Sequence, residues 1–99
     1  SELIGRFPDS PYAADARQRM IYMRDRLAQH DVHVAHYYLK RHAYLAAANR
    51  GKNIVENYQG TAHVAAGLAL MIEGYELLGE QGLADKSLKV LVELSLLRL

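Results

Sequence analysis

Cysteine is absent from the 99 residues. That excludes disulfides, thiolate metal sites and thiol nucleophiles, while saying nothing about compartment, because helical repeats need no crosslinks. Tryptophan is also absent and proline occurs twice, both times before residue 12. No charge of one sign dominates: twelve basic and eleven acidic residues give a formal charge of +1, and no Lys/Arg run exceeds Lys40-Arg41. Such a balance argues against a phosphate-binding surface, so nucleic acid is not an expected partner. Long hydrophobic runs are missing too. The longest, Val64 to Ile72, has nine residues including Gly67, against the roughly 20 needed to cross a bilayer.

What is present is repetition. Phe7-Pro8-Asp9-Ser10-Pro11-Tyr12-Ala13-Ala14, running on to Met20-Ile21, is echoed by Tyr58-Gln59-Gly60-Thr61-Ala62-His63-Val64-Ala65, running on to Met71-Ile72, at a constant offset of 51 residues. A second echo overlaps the first: Tyr38, His42 and Ala47 recur as Tyr75, Gly79 and Ala84, 37 residues later. Each echo joins an aromatic helix end, a polar turn and a new helix with small residues at the contact positions. In such arrays no unit buries its apolar face alone, and stacked neighbours make the core together. Function is then expected on the surfaces of the stack.

Helical periodicity divides the chain. Ser10-Pro11 reads as a cap followed by a first-turn proline. With no Gly or Pro between Pro11 and Gly51, one helix is expected from Pro11 to Arg41, about 45 Å long at 1.5 Å per residue. Its apolar stripe is Ala13, Ala16, Met20, Met23, Leu27, Val34 and Tyr38, interrupted at Asp31, where a bend or a change of buried face is expected. A second helix, Ala43 to Tyr58, turns Tyr44, Ala47, Ala48, Gly51, Ile54, Val55 and Tyr58 inward. Thr61 is the expected cap of a third, Ala62 to Leu78, with Ala65, Leu68, Ala69, Ile72 and Tyr75 inward, closed by Gly79. A fourth, Leu83 to Leu97, turns Ala84, Leu88, Leu91 and Leu94 inward, and adds Val90, Val92, Leu96, Leu97 and Leu99 on a second face that needs a cover.

No segment alternates as a strand does, so the class is all-α: a tetratricopeptide-like α-solenoid of antiparallel helix pairs. Residues 1–99 are read as a single helical-repeat domain cut from a longer chain, with 1–8 the end of a preceding repeat, 10–58 a helix pair with a long first helix, and 61–97 a second pair. His42 stands where that repeat pattern usually has Gly, Gln59 replaces its helix-ending Pro, and the 37-residue spacing exceeds the usual 34.

Chemistry-bearing constellations are few. His30, His33 and His36 fall three apart on one helix, so neighbouring pairs face each other. A shared ion is disfavoured by the rise of about 9 Å from first to last and by the missing fourth ligand, so no metal site is assigned. His42 and His63, near helix ends, suit dipole or capping roles. A nucleophile elbow, a phosphate-cradling glycine loop, a helical zinc pair and close catalytic carboxylates are all missing, and neither catalytic residues nor a cofactor are assigned. Tyr38, Tyr44, Tyr58 and Tyr75 fall at packing positions of the repeats. Ala47, Ala48 and Gly51 take the buried side of the second helix and leave Arg50 pointing outward. Arginine is suited to a bidentate bond with a partner's carboxylate, and an ordinary solvated arginine is the equal alternative. Asn49 and Asn53 lie beside it.

Arg6-Phe7-Pro8-Asp9-Ser10-Pro11-Tyr12, Met23-Arg24-Asp25-Arg26-Leu27-Ala28, Val34-Ala35-His36-Tyr37-Tyr38, Ala43-Tyr44, Ala48-Asn49-Arg50 and Glu56-Asn57-Tyr58, in this order and spacing, resemble the C-terminal half of the BamD (ComL) family of outer-membrane assembly lipoproteins. The resemblance runs from Arg6 to about Ala84. It implies a periplasmic tetratricopeptide scaffold of the β-barrel assembly machine, held to the outer membrane by a lipidated N-terminal cysteine that this sequence does not contain. It also implies docking onto the membrane-proximal POTRA domain of BamA and contacts with other lipoprotein subunits. On that resemblance Arg50 becomes the polar anchor, with Asn49 and Asn53 as neighbours. A generic tetratricopeptide adaptor that clamps a peptide or helix is the alternative. The apolar last helix is expected to make the isolated fragment dimerise.

Overall fold

The computed structural model describes residues 11–97, with side chains from Ala13 onward. The expectations placed on Ser1 to Ser10 and on Leu99 lie outside the described residues. Among the described residues four helices follow one another: α1 (Pro11–Lys40), α2 (Tyr44–Asn57), α3 (Val64–Leu78) and α4 (Gln81–Leu97). Each packs chiefly on its neighbour in sequence, so the fold is an all-α, tetratricopeptide-like stack. Among the described residues there is no strand. The helix bounds agree with the periodicity to within two residues at every end.

Two helices end alike. At the end of α1 the Ala43 amide donates to the Tyr38 carbonyl (2.9 Å) and the His42 amide to Leu39 (3.1 Å); at the end of α3 the Glu80 amide donates to Tyr75 (2.8 Å) and the Gly79 amide to Glu76 (3.0 Å). Both are Schellman turns, whose central residue must be left-handed. Gly79 has φ 82° and His42 has φ 63°. The 37-residue echo is therefore this turn, written once with glycine and once with histidine.

The α2–α3 turn differs from expectation. Thr61 does not cap α3: its hydroxyl donates to the Tyr58 carbonyl at 2.8 Å, and His63 occupies the cap position without a side-chain cap bond. The long polar turn lets the Thr61 hydroxyl serve the end of α2 before α3 has begun.

The helices meet through small residues. A Cβ on Gly51 would press on the Gly67 carbonyl oxygen, and one on Gly67 would lie 2.9 Å from that of Gly51. One turn pair away, a Cβ on Gly74 would lie 2.8 Å from the Tyr44 carbonyl oxygen. Glycine here permits backbone-to-backbone packing of α2 on α3. Ile54 and Leu68 are the largest wholly buried side chains. Burying each contributes on the order of 2 kcal/mol. On α3 the buried set is Gly67, Leu68, Leu70, Gly74 and Tyr75, with Ala69 exposed, because α2 and α4 cover two sides of this helix. On α4 the inner line is Ala84 and Ser87, then half-buried Leu91 and Leu94, while Leu88 stays exposed. Serine serves there because its hydroxyl donates to the Leu83 carbonyl of its own helix at 2.9 Å.

The expected stripe of α1 requires correction. Its buried line is Ala13, Ala28, Asp31 and Ala35, whereas Met20, Met23 and Leu27 are exposed. The helix neither breaks nor changes face at Asp31, which belongs to the packing line itself. The short α2 ends beside Arg24, so among the described residues nothing of α2 lies over Met20 and Met23.

Candidate partner-binding site

Asp31 and Arg50 organise the crevice between α1 and α2. Asp31 is 5% exposed, and a carboxylate so placed must be paired and hydrogen-bonded. Arg50 Nη1 donates to Asp31 Oδ1 at 2.9 Å, and Asn53 Nδ2 donates to Asp31 Oδ2 at 2.6 Å. Asn53 is itself held by Asn57, whose Nδ2 donates to Asn53 Oδ1 at 2.6 Å. The donors come from one turn of α2, since residues three apart share a face. The hydrogen bond to Asp31 raises the affinity of the Arg50 guanidinium for its proton; burial opposes this, and the Tyr38 hydroxyl assists it.

The sequence-predicted residues thus divide. Arg50 leans across onto α1, against the expectation that it points straight outward, and keeps 41% of its side chain exposed. Asn53 is half-buried in the same network, and Asn49 is exposed on the adjoining ridge. Sequence reasoning missed Asp31, although its signal was visible: a lone acid on a packing line requires donors, and Arg50 with Asn53, one turn apart, supplies them.

Further along α1, two consecutive residues hold the α2–α3 turn by its opposite poles. Arg24 Nη2 donates to the carbonyls of Asn57 (3.1 Å) and Gln59 (2.9 Å), at the negative end of α2. Asp25 Oδ1 lies 3.1 Å from His63 Nε2 at the start of α3. Both placements follow the sign of the helix dipole. The polar seam therefore runs from Arg50 through Asp31, Asn53 and Asn57 to Arg24.

His30, His33 and His36 are exposed. Among the described residues no group of three His, Asp or Glu gathers around a point where a metal ion would sit. A groove of about 430 Å³ lies between the α2–α3 turn and the second half of α4, lined by Val55, Val64, Leu68, Val90, Leu94 and the turn residues. Glu73 and Glu76 are solvated.

Comparison with known proteins bears on this surface. Residues 1–91 match the family described as YfiO: Outer membrane lipoprotein. The outer membrane protein assembly factor BamD of Neisseria meningitidis serogroup A / serotype 4A is 46% identical over 91 residues, which cover 92% of this chain and 34% of the relative. That of Haemophilus influenzae is 42% identical over 89 residues, covering 90% and 34%. That of Xylella fastidiosa strain 9a5c is 39% identical over 89 residues, covering 90% and 30%. The chain spans about a third of the length of the curated relatives it matches. The family match extends through α1, α2, α3 and most of α4, so helix pairs, turns and the Asp31–Arg50 crevice all lie within the matched residues: the chain belongs to the YfiO family of outer membrane lipoproteins.

Proposed function

We propose that this chain is a non-catalytic scaffold segment of the outer-membrane β-barrel assembly machine, working on the periplasmic face of the outer membrane of a Gram-negative bacterium. Its Arg50-centred face, with Asn49 and Asn53, docks the membrane-proximal POTRA domain of BamA, and neighbouring surfaces meet other lipoprotein subunits. No cofactor takes part. Attachment to the membrane falls to a lipid anchor outside these residues; no described helix is long and apolar enough to cross a membrane.

The observation that carries this reading is the state of Arg50. It is fixed at one nitrogen by Asp31, 41% exposed, and set in a chain whose relatives are named assembly factors. A guanidinium at a crevice rim, ordered and partly desolvated, is the kind of group that anchors protein interfaces. Titration of the Arg50→Glu protein against the isolated POTRA domain tests it. The expected result is at least a tenfold loss of affinity, since the reversal opposes like charges in the contact; unchanged affinity removes Arg50 from the interface.

A second reading is a generic tetratricopeptide adaptor that clamps a peptide or helix, and it draws on the groove beside α4. Its apolar wall of Val55, Val64, Leu68, Val90 and Leu94 suits the hydrophobic face of an amphipathic helix. Val64→Glu separates the two: it abolishes adaptor binding and leaves POTRA docking through Arg50 intact.

A further inference from the structure

We infer that Asp31 is a positioning residue: from inside the α1–α2 crevice it holds the Arg50 guanidinium by one nitrogen, so that the rest of the fork faces outward as a preset receptor for a single carboxylate of a protein partner. This rests on the reading of Arg50 as a partner contact and adds to it how the contact is built and what chemistry it accepts.

Packing alone does not account for Asp31. Its neighbours along the buried line are Ala28 and Ala35, and an apolar side chain there would serve the α1–α2 contact without the cost of stripping water from a carboxylate. Buried ion pairs are commonly no more stabilising than the hydrophobic residues that replace them. What the acid adds is orientation. Its two oxygens are divided, Oδ1 to Arg50 and Oδ2 to Asn53, and Asn53 is pinned in turn by Asn57. A carboxylate tied at both oxygens cannot rotate, so the nitrogen it binds has one place to be.

Arginine carries five N–H donors in a rigid plane. Asp31 engages Nη1 and Tyr38 adds a further hydrogen-bonding interaction, so two of the donors are spoken for, while 41% of the side chain stays exposed. The receptor suits one carboxylate rather than a phosphate or an anionic membrane. It has a single guanidinium, its charge already partly balanced by Asp31. The nearest cation on α2, Lys52, lies two residues on, exposed, within 4.0 Å of Glu56. Phosphate groups and lipid surfaces call for clustered cations, whereas α2 carries only Arg50 and Lys52.

Preordering one long side chain is worth about a three- to tenfold gain in affinity. The test is Asp31→Asn, which keeps the shape and one hydrogen bond while removing the charge. Binding to the isolated membrane-proximal POTRA domain of BamA is measured by calorimetry, and the order of the Arg50 Nε–Hε vector by nitrogen relaxation in the free protein. The expected result is three- to tenfold weaker binding together with a more mobile Arg50 side chain. Asn53→Ala, which frees Oδ2 and changes no charge, loosens Arg50 in the same way by less; because Asn53 also belongs to the docking face, its relaxation readout, and not its affinity, carries the test should Asp31→Asn fail to fold. Unchanged affinity in Asp31→Asn, or unchanged Arg50 order in Asn53→Ala, with Arg50→Ala still weakened, overturns the role of Asp31 and leaves Arg50 an anchor. Tighter binding overturns it in the other direction, making Asp31 a competitor for Arg50. Full affinity in Arg50→Ala defeats the reading of Arg50 itself.

Discussion

His42 and Gly79 occupy the same place in two copies of one turn, 37 residues apart, both with left-handed backbone, φ 63° and 82°. Glycine takes that conformation freely, whereas a residue with a Cβ pays about 1 kcal/mol or more. His42 recovers part of this by stacking on Tyr44, ring centroids 5.8 Å apart. His42→Gly is therefore expected to stabilise the protein by about 0.5 kcal/mol, raising the midpoint of thermal unfolding by roughly 2 to 4 °C. His42→Val, β-branched and without the stack, lowers it. Differential scanning calorimetry on the two variants decides the sign.

The backbone crossing of α2 and α3 gives a steric prediction with an internal control. Gly51→Ala forces its methyl onto the Gly67 carbonyl and should cost about 1 to 3 kcal/mol. Gly82→Ala, in the first turn of α4 with open space around its Cβ position, should instead stabilise by up to about 1 kcal/mol, as alanine does in helices. Urea denaturation of both variants that shows equal effects would refute the close crossing.

Stability at the Asp31–Arg50 pair is expected to be asymmetric. Arg50→Ala leaves a buried carboxylate with Asn53 as its remaining donor and should cost about 1 to 3 kcal/mol. Asp31→Asn leaves a guanidinium that already reaches water, and should cost under about 1 kcal/mol. Denaturant melts rank the two. Because the folded state raises the proton affinity of Arg50, its charged form is favoured by folding, and that contribution is complete at every pH below the ordinary arginine range and lost only as pH climbs beyond it. Melts between pH 6 and pH 9 should therefore show no change arising from this arginine.

Arg24 is exposed, so its two hydrogen bonds to the α2–α3 turn should matter locally more than globally. Arg24→Ala is expected to lower global stability by less than about 1 kcal/mol while speeding amide exchange at Tyr58 and Thr61, whose hydrogen bonds close the end of α2. Hydrogen exchange read by NMR, with equal acceleration across all four helices, would contradict the clamp.

The last helix should drive self-association of the isolated chain. Leu88, Val92 and Leu96 follow one another at four-residue spacing and are 47%, 49% and 63% exposed. Sedimentation velocity is expected to show a concentration-dependent dimer that Val92→Glu returns to monomer, since a charge in such a stripe opposes its burial. A monomer at every concentration would show that the stripe is tolerated in water.

Helix order, helix bounds and fold class over the described residues were legible in the order of residues because they rest on local physics: the 3.6-residue period, the scarcity of Gly and Pro before residue 51, and the glycine that closes α3 at position 79; that His42 takes the same left-handed turn was not. The small residues of α2 likewise announced a close contact, since Ala47, Ala48 and Gly51 recur on one face whatever lies opposite. Arg50 was visible as a candidate by its place on that helix, though not the direction in which it leans.

Which face of α1 is buried was decided by the tertiary structure. Met20, Met23 and Leu27 form the more apolar stripe, yet a helix buries the side its neighbours cover, and α2 covers the line of Ala28, Asp31 and Ala35. The role of Asp31 has the same origin. One-dimensional periodicity records an acid as an interruption, because the donors that make its burial affordable stand 19 and 22 residues away and come within reach only when α2 folds back along α1.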